Sequence, residues 1–159
     1  MKRVVAGLLM SVLACSSATS STTTSVTSEA EPDRLIGDLV SAGGEAEQVE
    51  TFASAPIGGE GLLLCVGAEE IRVYLFGTEE EAAAAAARID PDDPSNLGNA
   101  IVEWAGTPRF WRRGPMLVLY LGEDPATENL MTEVLGPPFA RGEGPGRGLP
   151  GVPGSCTDG

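Results

Sequence analysis

The chain of 159 residues contains no histidine, which removes every His-based catalytic triad, every Cys-His nucleophile pair and every imidazole-ligated metal site. Lysine does not recur after Lys2, so arginine carries all later positive side-chain charge. Basic residues number 10 against 23 acidic ones, a formal net charge of −13. That balance excludes nucleic acid as a partner, because phosphate binding needs a basic surface that releases counterions. Aromatics are scarce, at 2 Trp, 2 Tyr and 4 Phe, so any clustering of them stands out. No apolar run reaches the ~18 residues of a membrane-spanning helix. At this length one folded domain is expected, with a tail at either end.

What is present begins with an address. Residues 1–14 are laid out as a secretory leader, with Lys2 and Arg3 as the positive start. Val4 to Leu13 then form an apolar stretch of about ten residues, the usual length for a leader and too short to span a bilayer. It ends in Val12-Leu13-Ala14-Cys15, which resembles the lipobox of bacterial lipoproteins, where a small residue precedes an invariant cysteine. The resemblance implies that Cys15 receives a diacylglyceryl group and becomes the new N-terminus, holding the chain to the extracytoplasmic face of the cell membrane. Each buried methylene contributes about 0.8 kcal/mol, and more than one acyl chain per cysteine, palmitate among them, makes such an anchor stable. The alternative is ordinary leader cleavage after Ser16-Ser17-Ala18, which would release a soluble protein. Beyond the leader the chain resembles small uncharacterised bacterial lipoproteins, a likeness that implies no activity.

Residues 15–30 form a tether: after Cys15 the Ser/Thr-rich tract has almost nothing to bury and cannot offset the entropy of ordering. The domain is expected over 31–140, and residues 141–159, dominated by Gly and Pro, are expected to lack regular structure. Three helix patterns lie within the domain. Leu35, Ile36, Leu39 and Val40 make one apolar stripe that ends at Gly43-Gly44. Thr78 with Glu81 reads as a capping box opening the Ala-rich run Ala82 to Ala87. Asp124-Pro125 reads as an N-cap and first helical position before Leu130, Met131, Val134 and Leu135. Between them run strand patterns over Gln48–Ala53, Gly61–Val66, Ile71–Phe76, Ala100–Ala105 and Pro115–Leu121, with Gly106–Gly114 as the last connection. The predicted fold is α+β in the order α-β-β-β-α-β-β-α, an antiparallel sheet of about five strands with helices on one face.

Chemistry-bearing residues are few. Cys65 lies in the apolar run Leu62–Val66, where a thiol behaves as a small hydrophobe, and no Gly-x-Ser-x-Gly elbow occurs. No catalytic residue, metal site or cofactor is expected. If Cys15 carries lipid, Cys65 and Cys156 are left as an even pair for which a disulfide is chemically permitted outside the cytoplasm. The competing reading keeps Cys65 buried and inert and Cys156 free. Asp90 to Asn96 has the oxygen donors of a Ca²⁺ loop, but Pro94 replaces a ligand and the central Gly is missing.

The most distinctive stretch is Trp104 to Gly114, which gathers both tryptophans with Arg109, Arg112 and Arg113. Guanidinium groups beside aromatic faces suit anionic or sugar ligands, so Trp104, Arg109, Trp111, Arg112 and Arg113 form the candidate binding patch. The plainer reading makes this stretch a connection whose arginines pair with the domain's own carboxylates while the indoles cap the core. The expected function is a membrane-anchored, non-catalytic module that binds an envelope protein or a small ligand. Its rivals are a carboxylate-based hydrolase and a spacer without a ligand.

Overall fold

The first helix, α1 (Ala30–Ser41), buries Leu35 and Leu39 one turn apart, with Ile36 packed beside them. Glu31 and Asp33 stand in its first turn, where the helix dipole favours negative charge. It ends at Gly43, whose φ of 95° suits a residue without a Cβ, and Gly44 donates its N–H back to the carbonyl of Leu39 at 3.0 Å. The computed structural model describes residues 30–98, 100–143 and 156. The leader, the tether with Cys15 up to residue 29, and the tail apart from its first residues and Cys156 lie outside the described residues; Ala30, expected as the end of the tether, is the first residue of α1. No helix among the described residues is long and apolar enough to cross a membrane.

Three strands follow as a meander: β1 (Ala46–Phe52), β2 (Glu60–Val66) and β3 (Glu69–Leu75). β2 is buried from Gly61 to Val66, so it reads as a continuous apolar run, whereas β1 is exposed along its middle and forms a sheet edge. α2 (Glu79–Ala86) opens with the capping box: Thr78 Oγ1 accepts the Glu81 N–H at 3.1 Å, and Glu81 Oε2 accepts the Thr78 N–H at 3.2 Å. A long loop then leads to β4 (Arg109–Arg113), which turns at Gly114 into β5 (Met116–Tyr120). α3 (Pro125–Leu135) is capped by Asp124, which accepts the Thr127 N–H at 2.8 Å, and two residues of β6 (Ala140–Arg141) close the sheet.

The sheet runs β1-β2-β3-β5-β4-β6 with every neighbouring pair antiparallel, and with the three helices it makes an α+β fold. β3 and β4 therefore point the same way with β5 between them, and α2 with its loop makes the crossing. The helices divide between the two faces. α1 and α3 cover the face bearing Leu62, Leu64, Ile71, Val73, Trp111, Val118 and Tyr120. α2 and its loop cover the other face, over Tyr74, Phe110, Leu117 and Leu119. The expectation of helices on one face needs this correction, and the reason is β5: with both faces of Met116–Tyr120 fully buried, a covering layer is required on each side.

Two assignments in the second half exchange places. Ala100–Ala105 is a loop, not a strand, with a single bridge between Asn96 and Ile101. Its alternation still has a cause: Ala100, Val102 and Trp104 pack on the second face, while Ile101 is 84 % exposed. The hydrogen bonds go to the adjoining turn, Val102 N–H to the Ser95 carbonyl and Leu97 N–H to that of Ala100, both at 2.8 Å. Conversely, Arg109–Arg113, expected as a connection, is β4. The sheet also takes in Arg141, one residue past the expected domain boundary.

Candidate functional site

As a strand, β4 sends alternate side chains to opposite faces, and this divides the candidate patch. Trp111 points into the first core at 1 % exposure, its Nε1–H donating to the Gly136 carbonyl at 2.8 Å. Arg109 is 6 % exposed. Its guanidinium stands 5.6 Å from the centre of the Tyr120 ring and donates from Nη1 to the carbonyls of Thr107 (3.0 Å) and Gly122 (2.7 Å). Its Nε lies 2.7 Å from a Glu128 oxygen without the alignment of a hydrogen bond, and the same carboxylate is paired with Arg141. Arg113 pairs with Asp38 at 2.6 Å and the exposed Arg112 with Glu79 at 3.2 Å. Trp104, in the loop, stands edge-on to Phe110 and donates to the Pro94 carbonyl at 3.1 Å. Arg109, Trp111 and Arg113 thus serve one face, Arg112 the other, and Trp104 seals the loop against the second core.

A polar cluster adjoins Arg109. The Tyr120 hydroxyl donates to Glu69 at 2.9 Å and accepts the Asp124 N–H at 2.9 Å. Burial pushes the Tyr120 phenol far up, and the Glu69 carboxylate adds to the shift. The Thr127 hydroxyl and N–H hold the Asp124 carboxyl below its ordinary range. Each of these groups is bonded to another in the cluster, an arrangement that fixes the start of α3 against the end of β5. In the Asp90–Asn96 loop, Asp90 accepts the N–H groups of Asp92 (3.0 Å) and Asp93 (3.3 Å), and Asp93 accepts that of Ser95 (3.2 Å). These carboxylates cap their own turns. No group of three or more metal-binding side chains occurs among the described residues.

Cys65 and Cys156, 91 positions apart in sequence, are joined by a disulfide with Cα atoms 5.4 Å apart. Both are buried, and the bond ties residue 156 to the second strand of the sheet.

An open groove of about 670 Å³ lies at the end of the sheet beside α2. Its apolar wall is Leu75, Phe76, Ala84 and Ala85, and Glu60, Glu81 and Arg88 supply its charge. Gly59 makes room for it: φ is +77°, and a Cβ there would stand 2.7 Å from the Leu75 carbonyl oxygen. Arg88 donates from Nη2 to the Ile57 carbonyl at 2.5 Å. The other described arginines, at 34, 72, 109, 112, 113 and 141, each have a carboxylate within ion-pair reach, and Arg88 does not. Sequence reasoning missed this site because its walls come from three separate segments. The one local signal is the spacing of Glu81, in α2, and Arg88, in the turn that follows its end, seven positions apart and so on one side of the chain. Comparison with known proteins finds no matching family model, no matching curated protein and no matching solved structure.

Proposed function

We propose that the chain is a lipoprotein held at the extracytoplasmic face of a bacterial membrane through lipid on Cys15, and that its domain is a non-catalytic binding module. The observation that carries the anchor is the order of the first 15 residues: Lys2-Arg3, then the apolar run, then Ala14-Cys15. The binding role draws support from the groove beside α2, whose volume falls within the ~300–1,000 Å³ of small-ligand sites. It also draws support from the engagement of Arg109 with the Thr107 and Gly122 carbonyls and Glu128, and of Tyr120 with Glu69, which leaves these side chains to structural work. The binding surface proposed is the groove with Arg88, in place of the divided stretch from Trp104 to Arg113.

Expression of the full chain in a bacterial host, followed by intact mass measurement, tests the anchor. The expected product begins at Cys15, carries acyl mass and partitions with membranes, and Cys15→Ser abolishes the acyl mass. A product that retains Met1, or that begins beyond residue 15 without acyl mass, overturns the reading; the second result would establish the soluble alternative cleaved near Ala18.

A further inference from the structure

The geometry of the groove points to a ligand class: a short peptide with both termini free, its carboxylate on Arg88 and its ammonium toward Glu81 and Glu60. This deepens the binding-module reading and rests on it. Arg88 is the observation that singles out the site. On a chain with 23 acidic residues, carboxylate partners are abundant, yet none among the described residues stands within ion-pair reach of this guanidinium, which spends one hydrogen bond on Ile57. A guanidinium is suited to a planar carboxylate, and the exposed Arg88 lines the same groove as the apolar Leu75 and Phe76.

The other charges decide against simpler ligands. Glu60 and Glu81 line the same groove, so a plain anion would meet two carboxylates there and the −13 field of the whole molecule. A plain cation would leave Arg88 unanswered and lie against it. A ligand with separated opposite charges and no net charge escapes both objections. The spacing sets its length: Glu81 stands in α2 and Arg88 in the turn just past its end, seven positions on, which at a helical rise is about 10 Å, the reach of roughly three extended residues. Ala84 and Ala85 leave the middle of the groove open for one apolar side chain.

The probe is Ala-Leu-Ala with free termini, compared with its N-acetylated and its C-amidated forms, titrated into the purified full-length protein while amide chemical shifts are followed. The expected result is shifts at Gly59, Gly77, Ala84 and Arg88, with each blocked peptide binding about tenfold more weakly. Arg88→Gln should erase the difference between free and amidated peptide and keep that between free and acetylated. Glu81→Gln, which retains a capping side chain, should do the reverse. A role of Arg88 confined to holding the Ile57 turn would not produce that exchange. Equal binding of all three peptides in the groove overturns the ligand class and leaves a binding groove. Absence of any shift at these residues overturns the groove itself, while the mass measurement on Cys15 stands apart from either result.

Discussion

Tyr74 and Tyr120 are the two tyrosines of the chain, and each phenol sits where losing its proton is unfavourable. Tyr74 is 4 % exposed and edge-on to Phe52, and burial pushes it up to about 12, with nearby Glu70 adding and Arg72 opposing. The folded phenol therefore keeps its proton to higher pH than an unfolded one. Its contribution is complete below about pH 10, the ordinary tyrosine value, and fades as pH climbs through about 12. The loss from Tyr74 is on the order of 3 kcal/mol. Two outcomes follow. Phenolate absorbance of the folded protein should stay flat through the ordinary tyrosine range, and Tyr74→Phe, which keeps the ring contact, should shrink the alkaline fall in denaturant midpoint while Tyr120 supplies the remainder.

At the level of single elements, α2 depends on its ends. Among its residues only Ala82 and Ala85 are buried, and methyl groups hold little surface against the sheet. The capping box has to supply much of what fixes the helix, and with it the wall of the groove. Thr78→Ala should cost about 1 kcal/mol in denaturant titration, with faster hydrogen exchange across α2, and Thr78→Ser should restore most of it. Caps of this kind explain why all three helices were legible in the sequence: Thr78, Asp124-Pro125 and Gly43-Gly44 stop and start the chain locally, whatever lies across the fold. Strands lacked that independence. Val102 and Trp104 alternate like a strand because they pack on a face, yet no neighbour offers a ladder. β4 was disguised by its arginines, since Arg109 enters the core only because Tyr120, Glu128 and two carbonyls receive it from other elements. The groove was illegible for the same reason: Arg88 gains significance from the carboxylates that are not beside it, and that is a property of the folded molecule.

Across the whole molecule, the Cys65–Cys156 bond is the longest covalent reach. With its ends 91 positions apart, closing it in the unfolded chain removes the entropy of a long loop, and reduction should lower stability by about 4 kcal/mol. Denaturant midpoints with and without a reductant measure this, and the double variant Cys65→Ser with Cys156→Ser should match the reduced protein and ignore the reductant. The bond has a second consequence. Cys65 is the last residue but one of β2, and Cys156 lies beyond every helix and strand described here. The two sulfurs are far apart in sequence and meet only through the fold of the chain between them. Oxidation within one chain therefore records that β2 and residue 156 have met, and a simple thiol count on a fresh preparation tells linked molecules from unlinked ones.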